Sequence, residues 1–285
     1  MTPMDRLHDT QDLSRSRKLL AGVLTFWMTL LFSHGVQAAG EVLADPNAAV
    51  RPGIGTQNNV PIVNIVAPDA QGLSHNRYLQ FNIPAQGLVF NNSLQAGTSG
   101  LAGDLGANPN FNGQAASLIL NEVTGFNPSQ LLGRGEVFGS AARLIIANPN
   151  GIYASGAGFL NTPRVTLTTG TPQFSGGTLT GFAIGGGAIT LDGAPIDVRG
   201  VATTDLVARN LLLNGALVSD GDARLYAGQG VWRYSDGQLS PGASTGNGSL
   251  AIDATHLGAI SAGRIFIIAN EQGAGVRLDG RLSAT

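Results

Sequence analysis

Apolar and polar residues alternate in short runs along most of this chain. Tyr78-Leu-Gln-Phe-Asn-Ile83 and Gly87-Leu-Val-Phe90 both read as strands with one buried face. Further on come Ala188-Ile-Thr-Leu191, Pro195-Ile-Asp-Val198, Leu211-Leu-Leu213, Ala216-Leu-Val218, Arg224-Leu-Tyr226, Leu250-Ala-Ile252, Arg264-Ile-Phe-Ile-Ile-Ala269 and Val276-Arg-Leu278. Helical periodicity is nowhere sustained beyond the first 38 residues. One stretch breaks the alternation, the continuous apolar run Leu19 to Phe32.

Glycines punctuate the strands at a fixed interval. Gly193, Gly215, Gly237, Gly258 and Gly280 are spaced by 22, 22, 21 and 22, and Gly200, Gly221, Gly242 and Gly263 by 21 each. Asp192, Asn214, Asp236 and Asp279 precede members of the first series, which suits turns. A period of that length, made of short strands and glycine turns, returns the chain to stack one strand spacing, about 4.8 Å, above itself. Leucine-rich repeats share the period but need a leucine and asparagine pattern that is missing here. The expected fold class is therefore all-β: a right-handed parallel β-helix of about 21–22 residues per coil, with an N-terminal cap and extra-helical hairpins. Roughly eleven coils would stack to about 50 Å. The Pro- and Asn-rich region from Gly40 to about Ala70 is expected to supply the cap, because an exposed end of stacked strands invites aggregation. The glycine-rich piece Gly97 to Gly106 is expected to be a loop or hairpin tip.

The apolar run changes the picture at the N-terminus. Arg15, Arg17 and Lys18 precede it, and Val36-Gln37-Ala38 follows as a small-x-small pattern. Residues 1–38 therefore read as a signal peptide cut after Ala38 and delivered to the Sec machinery. The run falls short of the roughly 20 residues that span a bilayer. Residues 39–285 form the expected mature domain. Its last repeat ends at Arg281–Thr285 in the middle of a strand pattern, so the chain is expected either to continue in its natural form or to be a truncated product.

Composition removes several kinds of chemistry. There is no cysteine, so thiolate metal sites, cysteine nucleophiles and disulfides are excluded. Only 12% of the 285 residues are charged, Lys18 is the sole lysine, and no basic stripe exists, so nucleic acid is not an expected partner. Ser74-His75 imitates a nucleophile and base, but neighbours on a strand point to opposite faces, and a structural role is expected for His75. His256 has Asp253 nearby but no third ligand at metal spacing. Gly242-Ala-Ser-Thr-Gly246 matches a nucleophile elbow only formally, since neither flank forms the strand and helix that the motif needs. Gly156-Ala-Gly158 and Gly185-Gly-Gly187 continue into no phosphate-loop pattern. Asp192, Asp197, Asp205, Asp220, Asp222, Asp236, Asp253 and Asp279 are scattered over many coils. A β-helical polysaccharide-acting enzyme, whose carboxylates would cluster in a groove, is the alternative they leave open, with a stand-alone glycan-binding adhesin beside it. No cofactor or metal is expected.

Four Asx-Pro turns remain: Asp45-Pro-Asn-Ala48, Asn108-Pro-Asn-Phe111, Asn127-Pro-Ser-Gln130 and Asn148-Pro-Asn-Gly151. In the last, Asn, Pro and Gly fall where a type I turn wants them, so Arg143 to Tyr153 reads strand, tight turn, strand. Three phrases surround these turns: Leu118-Ile-Leu-Asn-Glu-Val-Thr-Gly-Phe-Asn-Pro-Ser-Gln-Leu131, Ile146-Ala-Asn-Pro-Asn-Gly-Ile152 and Gly158-Phe-Leu-Asn-Thr-Pro-Arg-Val-Thr-Leu-Thr-Thr-Gly170. Together with Val60 to Ile65, Ser74 to Tyr78 and Gly87 to Ser93, they resemble the two-partner secretion domain of filamentous-haemagglutinin-type exoproteins over about residues 45–170. The repeats would then occupy about 171–285.

The resemblance implies a passenger domain, not an enzyme, recognised by the periplasmic POTRA domains of an Omp85-type (TpsB) outer-membrane transporter. It implies export through the periplasm of a Gram-negative bacterium to the cell surface or beyond, and possible contact with a receptor on a host or neighbouring cell. The family's two secretion motifs map onto Asn108, Pro109, Asn110 and Phe111, and onto Asn148, Pro149, Asn150, Gly151 and Ile152. The second matches in full, while Phe111 stands where the family has leucine.

Overall fold

The computed structural model describes residues 41–242, 250–255, 258–271 and 273–284. The expected signal peptide with its cleavage at Ala38, the Ser244 elbow and His256 lie outside the described residues. Among those described, every regular element is a strand.

The alternating runs wind into three sheets. The first face stacks Leu73–Phe81, Leu118–Val123, Arg143–Ala147, Arg164–Thr168, Thr203–Ala208, Asp222–Ala227 and Arg264–Ala269 in parallel. The second runs from Val60–Asn64 to Leu282–Ala284, and the third from Ser129–Leu131 to Gly275–Leu278. Side chains at every second position point into the coil and meet their counterparts in the next one. Ile146, Leu167, Leu206 and Leu225 are successive register partners, all 1% exposed or less. This is a parallel β-helix, with a continuous apolar core down its axis. Its first rung is closed by two antiparallel strands, Val42–Ala44 against Leu73–Phe81 and Gly53–Gln57 against Val60–Asn64. They supply the cap expected from the Gly40 to Ala70 region.

Coil length departs from expectation. Ile146 to Leu167 spans 21 residues and Ile189 to Leu211 spans 22, as predicted, while Leu206 to Leu225 is shorter at 19. Leu167 to Leu206 takes 39, however, and Leu225 to Ile267 takes 42. The long coils leave the axis and return, so among the described residues the first face holds seven parallel strands and the second eight once each antiparallel cap strand is set aside, not eleven. Six spacings of about 4.8 Å make the first face about 29 Å tall.

The glycine series were therefore partly coincidental. Gly193, Gly215 and Gly280 each stand two residues after the register-related Leu191, Leu213 and Leu278. At that corner a side chain on Gly280 would strike the Gly258 carbonyl, and one on Gly258 would strike that of Leu213. Gly237 lies instead in an excursion, against the Tyr226 hydroxyl, and the Gly242 amide donates to Gln229 O at 3.0 Å outside the helix. In the other series Gly263 donates to Gly221 O at 2.9 Å, while Gly200 is offset from that column. The excursion happened to make its coil nearly twice the short period, which kept the phase.

Two of these excursions join into an antiparallel sheet of Thr171–Ser175, Thr178–Ile184, Gly230–Arg233 and Leu239–Pro241. It covers the outside of the first face, where Phe182, Ile184, Trp232 and Tyr234 pack on Leu118, Leu120, Ile145, Val207 and Tyr226 in a second core. Trp232 is 0% exposed, and Trp232→Ala is expected to lower unfolding stability by about 3–5 kcal/mol in urea titrations. A smaller hairpin, Gly97–Ser99 with Gly103–Leu105, packs over Val60, Ile62, Val89 and Phe138 on the second face. The Glu136 carboxylate holds its tip, accepting from Ser99 Oγ at 2.6 Å and from the amides of Gly100 and Leu101 at 2.9 and 3.0 Å.

Candidate functional site

The two Asn-Pro-Asn segments fold into corners of the same construction. Gly151 N donates to Asn148 O at 3.1 Å and Phe111 N donates to Asn108 O at 3.2 Å, which closes each four-residue turn. The first asparagine of each also accepts from the second one's amide: Asn150 N to Asn148 Oδ1 at 3.0 Å, Asn110 N to Asn108 Oδ1 at 2.9 Å. Proline at the second position presets the turn and sits exposed in both. The chain does not reverse at residues 148–151 as in a hairpin. It swings from the first face to the third, continuing as Ile152–Ala154.

What remains of each asparagine ties coils together. Asn148 Nδ2 donates to Asn127 O at 2.9 Å and to Ser129 Oγ at 3.0 Å, and Asn150 Nδ2 donates to Gly125 O at 2.7 Å. Asn108 Nδ2 donates to Ile65 O and Asn91 O at 2.9 and 2.7 Å, and Asn110 Nδ2 reaches Asn64 O at 2.9 Å. Asn148 is 0% and Asn108 3% exposed. Ile152 is buried in the axial core and Phe111 packs against it half-buried. The structure places the two motifs at separate corners, each serving its own.

Asp45-Pro-Asn-Ala48 is a third corner of this kind in the cap. Asn47 N donates to Asp45 Oδ1 at 2.8 Å, and Thr124 Oγ1 donates to Asp45 Oδ2 at 2.8 Å. The Asn47 amide first, then the Thr124 hydroxyl, hold the Asp45 carboxyl below the usual carboxylate range. Asn127-Pro-Ser-Gln130 differs: its carbonyl is what Asn148 grips, and Gln130 N donates to Asn82 Oδ1 at 2.8 Å.

Other buried asparagines went unread in the sequence. Asn92 Nδ2 donates to Ala116 O and Ser140 O at 3.0 and 2.7 Å, Asn121 Nδ2 donates to Ile145 O at 3.1 Å, and Asn76 Oδ1 accepts from Val66 N at 2.9 Å. Asn76 and Asn121 occupy inward positions of aliphatic columns. The only signal was a polar residue where the alternation calls for an apolar one.

The remaining candidates are structural. Ser74 Oγ turns inward to Val66 O at 2.7 Å, while His75 faces out with Nε2 2.7 Å from Glu122 Oε2 and its ring 5.3 Å from that of Phe174. The opposed directions are those expected of strand neighbours. The aspartates mostly meet arginines: Asp197 with Arg199, Asp205 with Arg164, Asp222 with Arg224 and Arg264, and Asp253 with Arg277. Asp236 accepts from Gln238 N in a turn, and Asp192 from Gly193 N. The Gly186 carbonyl accepts from Thr169 Oγ1 at 2.8 Å. Among the described residues no three His, Asp or Glu side chains gather as metal ligands.

One ion pair sets a pH expectation. The Arg199 guanidinium, through its side-chain hydrogen bonds, lowers Asp197 to about 2. A depressed carboxylate contributes stability above its unfolded pKa and loses it as pH falls towards the folded value. Asp197→Asn should therefore flatten part of the acid limb between about pH 4 and 2 in a plot of Tm against pH, with a small amplitude because the pair is exposed.

Comparison with known proteins agrees with this geometry. The family model described as the TPS secretion domain matches residues 41–285. The crystal structure of the filamentous hemagglutinin secretion domain superimposes with a TM-score of 0.80 at 37% identity, covering 85% of this chain and 83% of that one. The hemolysin of Serratia marcescens is 41% identical over 284 residues, 95% of this chain and 17% of that protein. The tRNA nuclease CdiA-2 of Burkholderia pseudomallei is 40% identical over 288 residues, again 95% of this chain but 9% of the relative. The chain thus spans less than a fifth of either curated relative. Its three-faced coil and its Asn-Pro-Asn corners lie within the matched residues, and the chain belongs to the TPS secretion domain family.

Proposed function

We propose that this chain is the secretion-recognition domain of a larger exported exoprotein. Residues 1–38 address it to the Sec machinery and are cut after Ala38, and residues 39–285 form the domain that an Omp85-type transporter receives through its POTRA modules. The extended chain adds strands to edges in those modules, emerges at the surface of a Gram-negative cell and folds there. Adhesion, toxicity or a nuclease activity belongs to other parts of such exoproteins, and a receptor on a host or neighbouring cell is a partner of the whole exoprotein.

The observation that carries this reading is the Asn148 corner. Its side-chain bonds reach back only 19 to 25 residues, to Ser129, Asn127 and Gly125, so they close between two adjacent rungs, while the Asn148 amide donates to Thr168 O of the next rung at 2.9 Å. Folding by nearest neighbours then proceeds coil by coil from the capped N-terminal end, which resists backsliding during export. Alongside it, the polysaccharide-acting alternative loses its basis, because the aspartates it needs are engaged by arginines and turns.

In cells that express the transporter, the chain should reach the medium or surface, and in cells lacking it the chain should stay in the periplasm. Equal export from both would overturn the reading. N-terminal sequencing of the exported form should begin at Ala39.

A further inference from the structure

Asn148 is fully buried, so a partner meeting the folded corner cannot touch it. What the corner presents is a different residue. Register pairs Glu122 with Ala147 and Ser129 with Ile152. Six residues, 123–128, separate the first members of these pairs, and four residues, 148–151, separate their partners. The earlier rung thus carries two extra residues at this corner, and they bulge outward with Phe126 at the tip.

Phe126 is 92% exposed; Val50, at 65%, comes next among the exposed large apolar side chains of the described residues. Single exposed apolar residues are ordinary on protein surfaces. This one is distinguished by how firmly its backbone is held. The carbonyl before it, Gly125 O, accepts from Asn150 Nδ2 at 2.7 Å, and the carbonyl after it, Asn127 O, accepts from Asn148 Nδ2 at 2.9 Å. Gly125 lies so close to the Leu79 carbonyl that no side chain fits there. Pro128, two residues on, and Pro149, in the matching turn of the next rung, are also exposed, Pro128 reaching 3.9 Å from where a Gly151 side chain would begin. No charged residue occurs in 123–128 or 148–152.

We propose that Phe126, at a corner that also exposes Pro128 and Pro149, is the residue that the transporter's periplasmic region reads, through an apolar, uncharged pocket, and that Asn148 and Asn150 are positioning residues that hold it out. This rests on the secretion-recognition reading. A rigidly presented aromatic loses little freedom on being buried, which is the property of an interface anchor. The corner also uses the rungs on either side, with Gly125 against the Leu79 carbonyl and the Asn148 amide donating to Thr168 O at 2.9 Å, so a folded N-terminal part of the domain presents it while residues beyond are still extended.

The test compares the full mature chain with Phe126→Ser and Phe126→Leu for binding to the isolated periplasmic region of the transporter, and records Tm for each. Phe126→Ser is expected to weaken binding by about tenfold or more, with Phe126→Leu between it and the parent. Tm should stay within about 2 °C, because the side chain packs on nothing. Asn150→Ala should also weaken binding, and adding Phe126→Ser to it should cost little more, since a loosened bulge has already lost its anchor. Undiminished binding of Phe126→Ser, beside a parent that binds, would overturn this inference and leave the broader reading standing. So would additive losses for the positioning role. A parent chain that does not bind at all would sink the broader reading itself. Self-association of the parent that Phe126→Ser abolishes, with transporter binding unchanged, would reassign the residue to a contact between copies.

Discussion

Replacing Arg164 by methionine is expected to destabilise the domain by about 3–5 kcal/mol, the cost of stranding a buried charge. Asp205 is 0% exposed, with Arg164 Nε 2.7 Å from its Oδ2 and the Thr166 hydroxyl donating to the same oxygen at 2.8 Å. The guanidinium also lies 4.3 Å from the Tyr234 ring centroid and 5.8 Å from that of Trp232, so it fills the space between the first face and the extra-helical sheet. Burial already pushes the Asp205 carboxyl up, against the pull of Arg164. Without the arginine it would rise further. A carboxyl with a raised folded pKa binds its proton more readily in the folded state, so the deficit of Arg164→Met should shrink as pH falls. Urea titrations at neutral and mildly acidic pH measure both effects, and the double variant with Asp205→Asn should recover part of the loss. A deficit below about 1 kcal/mol at neutral pH would show that the pair does not fasten the outer sheet.

Asn148→Ala should cost about 2–4 kcal/mol, from polar groups left without partners. The Asn127 carbonyl, the Ser129 hydroxyl and the Asn150 amide all lose their bond to this side chain. Pro149→Ala, by contrast, changes an exposed residue whose contribution is to restrict the unfolded chain, and about 1 kcal/mol or less is expected. Export should follow the same order if the corner is what the transporter needs. Full export of Asn148→Ala, with its stability lowered as stated, would confine this asparagine to a structural role.

Several features were legible because their chemistry is local. Asn148, Pro149 and Gly151 carry their turn in their own side chains and dihedral preferences, and the turn formed as read. Opposed directions for Ser74 and His75 follow from strand geometry alone. The alternation from Ala188 to Leu278 announced stacked strands, and the cap and the Gly97 to Gly106 hairpin were visible in composition. Coil number was not legible, because Gly237 and Gly242 stayed in phase with glycines of the true corners while belonging to an excursion. Nor was the outer sheet: Arg164 Nη1 meets the Tyr234 carbonyl 70 positions away and Nε meets Asp205 41 positions away, and no local pattern joins such residues.

The sequence by itself thus determined that short strands would pile up in parallel and that asparagine and proline would turn their corners, since periodicity and turn preference act within a coil. Only the tertiary structure decided which coils would swing outward, that two such excursions would meet as one sheet over Leu120 and Ile145, and that Phe126 would be left standing in solvent. Those outcomes depend on register between rungs and on which surfaces meet after winding, and both arise from contacts between segments that the linear pattern keeps apart.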